Sequence, residues 1–469
     1  MEELTENKAA MQLTAKTFAG LENLLAEELT GIGATGVEII NRGVQFSGGL
    51  EVVYKANYLC RTAVRVLQPI TVFTMKSQDD LYTEVMKIDW DGIFNLHQTF
   101  VVDANVFYSE ITHSQYAALR VKDAIVDQFR EKTGKRPWVG KEDADIYIDV
   151  HISHNICTVS LDSSGESLHK RGYRIDADKA PISEVLAAGI VLLSGWKGEK
   201  DLYDPMCGSG TIAIEAAMIA NNIPAGYYRQ KFAFMNWAGF DKELWEEIKK
   251  EEDAKISEAE HSIFASDRSE KAVNIAKRNI KNAGLHKDIE LKVSFFDAIV
   301  PEKQEGILVF NPPYGKRLEE RGEIINLYKS IGDTLKKSFS GFEAWIISPD
   351  TDIAKFIGLR PSARIHLYNG PIETRLIKFE MYAGSKKGKY MDDEQKENYR
   401  KERSQRDAGE KREYNKNEKP TWKKRDPYPE KRSYGNSGEK KYVGGKKPFG
   451  KEKKDFRGDR KTRGGRVGD

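Results

Sequence analysis

The segment DLYDPMCGSGTIAIEAAMIA, residues 201–220, joins a short strand end, a glycine-rich turn and an apolar helix. Gly208 and Gly210 permit a tight turn and a close approach of backbone to a ligand, and the helix start offers unpaired N–H groups to an anion. The turn is not a Walker loop, because no GK[S/T] follows, and it does not fit GxGxxG. Since GSG alone fits a purely structural turn equally well, the flanking sequence must decide its role.

Strand and helix patterns alternate on both sides of this turn, over residues 181–383. Strand patterns are SIFASD, IELKVSFFD, GILVFNPP and FEAWIISPD, and helix patterns are SEVLAAGIVLLSGW, SEKAVNIAKRNIKNAG and IINLYKSIGDTLKKSF. This alternation predicts the α/β class, with a parallel, doubly wound sheet. Two last strand patterns, ARIHLYN and TRLIKFEMYA, flank GPIE and predict a hairpin at the sheet edge.

Aspartates end three successive predicted strands: Asp204, Asp267 and Asp297. Carboxyl ends of parallel strands meet at one edge, where Asp267 can accept from both ribose hydroxyls of a nucleoside and Asp297 from an adenine amino group. Singly, each is an ordinary cap or turn residue, but together they predict a site for an adenosine-containing cofactor, with Phe296 facing the ring. Asp267 stands about 60 residues after the turn instead of roughly 20, which predicts an insertion at about 221–260.

The fourth strand ends in Asn311-Pro312-Pro313-Tyr314. The Asn311 side-chain oxygen and the Pro312 carbonyl can accept the two N–H groups of an exocyclic amine on a nucleobase, which is otherwise a poor nucleophile. The prolines stiffen the turn, and an exposed Tyr314 offers a flat face to a base taken out of its stack. The plain alternative is a proline turn, which the position after three aspartate-ended strands disfavours.

The remaining sequence divides into a mixed α+β region, residues 1–165, which predicts two small units, and a tail from about Gly384 without apolar periodicity, which predicts disorder. Residues 384–469 hold 29 Lys/Arg and 16 Asp/Glu, whereas residues 1–383 hold 46 and 56. An acidic body with a basic tail indicates nucleic acid as the partner.

Several classes of protein are disfavoured. No apolar run reaches 18 residues, and the N-terminus has no signal-peptide pattern, so we expect a cytosolic protein without a membrane span. Cys60, Cys157 and Cys207 are scattered singly and the histidines form no ligand pair, which argues against disulfides and predicts no metal site. Cys207 is expected to be a packing residue rather than a nucleophile.

Five segments together resemble class I S-adenosylmethionine-dependent methyltransferases, and more narrowly the bacterial 23S rRNA guanine-N2 methyltransferases of the RlmL type. The segments are DPMCGSGTIAIEAAMIA, ASDRSEKAVNIAKRNIKNAG, NPPYGKRL, LHKRGYR and LYNGPIETRLIKFEMY. The resemblance covers roughly residues 8–383. It implies a ferredoxin-like unit (8–60), a THUMP RNA-binding domain (61–165) and a Rossmann-like methyltransferase domain (166–383), followed here by the basic tail (384–469). Some relatives continue into a second methyltransferase domain, whose activity is not expected where the tail takes its place.

The resemblance also implies roles by position. Asp204, Gly208 and Gly210 are expected to bind the amino-acid end of the cofactor, Asp267 its ribose and Asp297 its adenine. The catalytic loop is expected to contain Asn311, Pro312 and Tyr314. The expected reaction moves a methyl group from S-adenosylmethionine to N2 of a guanine in 23S rRNA, with RNA as the partner. Alternatives are methylation of tRNA guanine N2, DNA adenine N6 methylation, which the RNA-type N-terminal half disfavours, and a non-catalytic RNA-binding assembly factor.

Two basic segments carry weaker hypotheses. The first is HKRGYR, His169 to Arg174, for which we consider three roles: contact with RNA phosphate, closure over the cofactor, or a solvated linker between domains. One face of the helix predicted in QYAALRVKDAIVDQFREKTG, together with the residues that follow it, either binds phosphate or is simply solvated; its basic residues are Arg120, Lys122, Lys132, Lys135 and Arg136.

Overall fold

The computed structural model describes residues 10–140, 143–177, 181–314, 321–349 and 352–382. The predicted disordered tail, residues 384–469, lies outside the described residues, as does the segment 315–320 that follows the NPPY motif. All described residues fall within the first of two units of the chain, Met1–Tyr390.

The N-terminal half alternates strands with helices that cover one face of a sheet. Its strands are β1 (Met11–Lys16), β2 (Thr35–Ile40), β3 (Gly43–Gly48), β4 (Arg65–Thr74), β5 (Thr99–Phe107), β6 (Trp138–Val139), β7 (Ile146–Ser153) and β8 (Ile156–Asp162). Its helices are α1 (Glu22–Gly31), α2 (Leu50–Leu59), α3 (Gln78–Met86), α4 (Trp90–Ile93) and α5 (Ser114–Thr133).

These strands form one continuous sheet in the order β2-β3-β1-β4-β8-β7-β5-β6. The ten-residue strand β4 makes the connection, because Arg65–Leu67 pair with β1 and Leu67–Thr74 pair with β8. Two separate cores lie along this sheet, one with α1 and α2 around Phe46 and one with α3 and α5 around Phe100. The sequence predicts two units, and the structure has two cores on a shared sheet.

The C-terminal half contains the predicted strand-helix alternation. Its strands are β9 (Leu202–Asp204), β10 (Ile263–Asp267), β11 (Ile289–Val293), β12 (Ile307–Phe310), β13 (Glu343–Pro349), β14 (Ala363–Asn369) and β15 (Ile372–Glu380). Its helices are α6 (Glu184–Leu193), α7 (Thr211–Ala220), α8 (Lys242–Asp253), α9 (Glu270–Asn282) and α10 (Arg321–Ser338), with 3-10 turns at Ala233–Asn236, Phe296–Ala298 and Asp352–Ile357.

The second sheet has the order β11-β10-β9-β12-β13-β15-β14, with β9 to β13 parallel and β15 antiparallel to β13. The chain winds outward from β9 in both directions, which opens a crevice at the carboxyl end of that strand. β14 and β15 form the predicted hairpin at the sheet edge. The α/β fold class, preceded by α+β domains, is confirmed.

The predicted insertion between α7 and β10 packs against the N-terminal half. Phe232, Phe234 and Trp245 belong to the same core as Tyr54 and Tyr58. The ring centroids of Tyr54 and Phe234 are 4.6 Å apart, and those of Tyr58 and Trp245 are 5.3 Å apart. Aromatic pairs at these distances contribute beyond the area that they bury. The insertion therefore joins the two halves of the chain.

Candidate functional site

A cleft of about 1340 Å³ opens at the carboxyl edge of the second sheet. It exceeds the roughly 300–1,000 Å³ that encloses one drug-sized ligand, so it has room for two ligands side by side. Six residues predicted from the sequence line it: Gly208, Asp267, Asp297, Asn311, Pro312 and Tyr314. The other two, Asp204 and Gly210, do not.

Asp267, the last residue of β10, is held by two backbone donors. The N–H of Gly208 donates to Oδ2 at 3.1 Å, and the N–H of Ser269 donates to Oδ1 at 2.9 Å. Ser269 in turn caps α9, since its hydroxyl accepts from the N–H of Ala272 at 3.3 Å. Each carboxylate oxygen can accept a second hydrogen bond, which suits it to a pair of adjacent hydroxyls in the cleft.

Asp297 lies farther along the chain than the strand pattern predicts. β11 ends at Val293, and Asp297 sits in the 3-10 turn that follows, where it is exposed to the cleft. Phe296, which is predicted to face the adenine ring, lines the cleft but is only 7% exposed, because it packs against Phe310 and Phe339 with ring centroids 5.5 and 5.6 Å apart. Phe295 also lines the cleft and is 62% exposed, so it presents more of its ring to a ligand.

Asp204 lies behind the glycine turn and is fully buried. Neither carboxylate oxygen makes a well-formed hydrogen bond within the described residues. Burial raises the pKa of Asp204 well above its usual range, the Asp267 carboxylate acts in the same direction, and the backbone N–H of Met206 opposes them. A positive charge in the adjacent cleft would favour the ionised form of this buried acid.

The two glycines of the turn have different structural roles. Both have positive φ, 55° at Gly208 and 83° at Gly210. A Cβ on Gly208 would meet nothing within 4 Å, whereas a Cβ on Gly210 would come within 3.2 Å of the Ala276 Cβ on α9. Gly210 therefore permits close packing of α7 on α9, and Gly208 exposes backbone to the cleft.

We expect Gly210→Ala to destabilise the protein by about 2 kcal/mol, because left-handed backbone strain and a forced contact with Ala276 add together. Gly208→Ala is the matched control. It introduces left-handed backbone strain but no close contact of its Cβ, so it should lower the free energy of unfolding by only about 1 kcal/mol. The measurement is the urea midpoint of each purified variant. Equal shifts for the two variants would contradict the packing role of Gly210.

The NPPY motif places an unused acceptor at the cleft. Asn311 follows β12, and its Oδ1 is buried and accepts no hydrogen bond within the described residues. Pro312 is buried behind it. Tyr314 is half-buried rather than exposed as predicted, and the Asn369 Nδ2 donates to its hydroxyl at 3.3 Å. Burial raises the pKa of Tyr314 to about 12, so the phenol stays neutral at physiological pH.

Residues that the sequence reasoning did not single out complete the cleft. The turn between β14 and β15 contributes Asn369, Gly370 and Pro371, and α10 contributes residues that include Asn326 and Ser330. From the sequence, LYNGPIE is predicted to be a hairpin turn and belongs to a stretch that carries the family resemblance, but no site role is predicted for its residues. Its Asn-Gly-Pro sequence at the same sheet edge as the NPPY motif is the feature that indicates a role in the site.

The HKRGYR segment is mostly not a solvated linker. Arg171 and Tyr173 are 2% and 1% exposed, and the Tyr173 hydroxyl donates to Glu215 Oε1 on α7 at 2.9 Å. Arg171 Nε lies 3.5 Å from the same oxygen. Lys170, by contrast, is exposed and forms a surface ion pair with Glu166. The segment thus ties the N-terminal half to the helix that follows the glycine turn.

The phosphate-binding face proposed for α5 is not supported. Three of its five basic side chains are ion-paired: Arg120 with Asp79, Lys122 with Asp123, and Lys132 with Asp89 and Asp91. Arg120 also lies 4.7 Å above the Tyr82 ring. Paired surface charges of this kind fit the solvated-face interpretation.

The three cysteines are buried and free. Burial raises the pKa of Cys157 to about 12 and those of Cys60 and Cys207 well above the usual value. Because the thiolate is the reactive form, we expect iodoacetamide at pH 8 to leave all three unmodified in the folded protein and to alkylate them in urea. Mass spectrometry of the intact chain measures this. Rapid alkylation of Cys207 in the folded state would contradict its assignment as a packing residue.

Among the described residues, no group of three or more His, Cys, Asp or Glu side chains could hold a metal ion. A helix long and apolar enough to cross a membrane is likewise not found in the part of the chain that the structure describes.

Comparison with known families gives three matches along the chain. The family described as an RlmL ferredoxin-like domain matches residues 12–67, the THUMP domain matches 75–162, and the family described as an RMKL-like methyltransferase domain matches 171–378.

Known proteins resemble most of the described chain. The putative RNA methyltransferase slr0064 of Synechocystis is 39% identical over 78% of this chain and 96% of its own length. The ribosomal RNA large subunit methyltransferase K/L of Syntrophotalea carbinolica is 40% identical over 80% of this chain, which spans only 54% of that protein. The structure of SMU.472, a putative methyltransferase complexed with SAH, covers 81% of this chain and 100% of its own at 30% identity and a TM-score of 0.73.

Proposed function

Because this chain belongs to the RMKL-like family of S-adenosylmethionine-dependent methyltransferases with ferredoxin-like and THUMP domains, we propose that it methylates the exocyclic N2 of a guanine in 23S rRNA. The observation that carries the proposal is Asn311 Oδ1, which is buried after the end of β12 at the cleft and accepts no hydrogen bond from the part of the chain that the structure describes. An unpaired buried acceptor is costly in a resting protein, which favours a role in receiving a donor from a substrate.

The residues of the cleft fit S-adenosylmethionine. Asp267 can accept from the two ribose hydroxyls while it remains held by the N–H groups of Gly208 and Ser269. The Asp204 carboxyl group lies behind the same turn, makes no well-formed hydrogen bond within the described residues, and would in its ionised form stabilise the positive charge that the cofactor carries. The exposed ring of Phe295 and the carboxylate of Asp297 are available to the adenine. When bound, the cofactor supplies a methyl group on a sulfonium centre, an already activated leaving group.

The protein's contribution to the reaction is orientation and hydrogen bonding at the amine. Asn311 Oδ1 and the Pro312 carbonyl accept its two N–H groups, and this directs the nitrogen lone pair toward the methyl group. The half-buried ring of Tyr314, fixed through Asn369, supports the base that has left its stack. Formation of the N–C bond would be accompanied by cleavage of the S–C bond to the transferred methyl group. The nitrogen would then lose one proton to solvent water, because neither amide oxygen is basic enough to keep it.

The choice of RNA rests on the family and on the N-terminal half. The THUMP match at 75–162 and the relatives named as ribosomal RNA large subunit methyltransferases favour a ribosomal substrate in the cytosol. The chain spans about half the length of those K/L relatives, so only the activity of the matching half is proposed for it.

The test is methylation of defined RNAs by the purified full chain. Undermethylated 23S rRNA, total tRNA and duplex DNA are each incubated with methyl-labelled S-adenosylmethionine, and the labelled nucleoside is identified by mass spectrometry. We expect N2-methylguanosine in 23S rRNA only. Label in tRNA or in DNA adenine would replace the proposed substrate, and tight RNA binding without transfer to any of them would favour an assembly factor.

A further inference from the structure

Arg174, in the segment that connects the two halves, donates two of its four hydrogen bonds to the Ser209–Thr211 turn. Its Nε donates to Glu184 Oε1 at 2.7 Å, one terminal nitrogen donates to the Ser209 hydroxyl at 3.2 Å, and the other donates to the Thr211 hydroxyl at 3.0 Å and to the Ile182 carbonyl at 3.1 Å. Its side chain is only 16% exposed. The forked guanidinium thus joins α6, the glycine turn and the first residue of α7.

A second side chain joins the same two segments. Asn279 on α9 is 1% exposed, and its Nδ2 donates to the Ser209 and Asp176 carbonyls, each at 3.0 Å. Its Oδ1 accepts from the N–H groups of Ile175 and Asp176 at 3.1 and 3.2 Å. The connecting segment is therefore packed along the outside of the turn, and Ser209 is held from two directions.

The positive charge of Arg174 lies at the N-terminus of α7. The N-terminus of a helix carries partial positive charge, so a cation there is unfavourable unless an anion is present. α7 has no acidic residue in its first turn and no side-chain cap, and among the described residues Glu184 is the carboxylate paired with the guanidinium. The end of α7 thus remains suited to a further anion, such as the carboxylate on the amino-acid end of S-adenosylmethionine.

We propose that Arg174 is a positioning residue that fixes the Ser209–Thr211 turn for the amino-acid end of the cofactor, so that the segment joining the two halves forms part of the cofactor site. This inference rests on the proposed function, which supplies the identity of the cofactor. Arg174 acts through Ser209 and Thr211 and need not touch the cofactor itself.

The experiment compares two ligands that share the nucleoside: S-adenosylhomocysteine, which has the amino-acid end, and 5′-methylthioadenosine, which lacks it. Arg174→Lys keeps the charge beside Glu184 but cannot reach all its acceptors at once. By calorimetry we expect it to weaken S-adenosylhomocysteine about tenfold and to change methylthioadenosine by less than twofold. Arg278→Lys is the matched control, because Arg278 pairs with Asp176 on the surface and does not contact the turn; both ligands should bind as in the wild type.

A double-mutant cycle tests the route through the turn. Thr211→Val removes one acceptor of Arg174 and keeps the side-chain shape, so it should show the same ligand discrimination, and the double variant should bind S-adenosylhomocysteine little worse than Arg174→Lys alone. Thr211→Val carries the test by itself if Arg174→Lys does not fold. Wild-type affinity in these variants, equal weakening of both ligands, or additive effects would overturn the positioning role.

The outcome for the wild-type protein separates this inference from the proposed function. Wild-type binding of S-adenosylhomocysteine with unchanged binding in Arg174→Lys would overturn only the role of Arg174. A folded wild-type chain that binds neither ligand would overturn the cofactor assignment and the inference with it.

Discussion

Replacing Asn311 with alanine should lower the single-turnover rate of methyl transfer by about 10²-fold, the scale seen when one aimed hydrogen-bonding group is removed from an active site. The variant loses the buried Oδ1 that has no other partner within the described residues, so little of the resting structure depends on it. The affinity for S-adenosylhomocysteine should stay nearly unchanged, because Asn311 is proposed to bind the amine and not the cofactor.

The measurement is a quench-flow time course with enzyme in excess over 23S rRNA, with cofactor affinity taken from calorimetry. Asn326→Ala is the matched control, since it removes an exposed amide from the same cleft on α10 instead of at the end of β12, and it should slow transfer by less than about threefold. A folded Asn311→Ala variant with the wild-type rate would remove Asn311 from the proposed mechanism.

Replacing Asp267 with alanine should weaken the binding of S-adenosylhomocysteine by about 1.5–3 kcal/mol, the loss expected for a charged hydrogen-bond partner. In a titration this corresponds to a roughly 10- to 150-fold higher Kd. Two effects would combine: the ribose hydroxyls would lose the acceptor that we propose for them, and the N–H groups of Gly208 and Ser269 would lose the carboxylate to which they donate.

A second substitution separates these effects. Asp267→Asn keeps an oxygen for one backbone donor and should weaken binding less than Asp267→Ala. Asp333→Ala removes an exposed carboxylate of α10 that pairs with Lys336, and it should leave the Kd within twofold of the wild type. Wild-type affinity in a folded Asp267→Ala protein would contradict the assignment of Asp267 to the ribose.

The sequence alone was sufficient to place the secondary structure around the site. Asp204 and Asp267 end β9 and β10 as predicted, and Asn311 follows β12. These predictions depend on apolar runs bounded by polar and glycine residues, which are local properties of the chain. Because parallel strands of a doubly wound sheet end at one edge, local patterns also predict that most of the site residues line one cleft, as they do with the exception of Asp204 and Gly210.

Local patterns did not determine where individual side chains point. Phe295 is far more exposed than Phe296, because β11 ends at Val293 and a 3-10 turn follows, a change that the alternation of the strand does not indicate. Gly210 serves packing against Ala276 on another helix, and Asp204 lies behind the turn instead of in the cleft. Each of these outcomes depends on a contact with a distant segment.

The sequence by itself determined the α/β and α+β classes, the strand ends that carry the site, and the hairpin that closes the sheet. Three features were decided only by the tertiary structure. β4 pairs with both β1 and β8 and so makes one sheet over two cores, the insertion containing Trp245 packs on the N-terminal half, and Arg174 donates hydrogen bonds to the glycine turn. The physical reason is the sequence separation of the residues involved. Periodicity indicates which face of a helix or strand is buried, but the segment that packs on that face is determined by contacts between residues far apart in the chain.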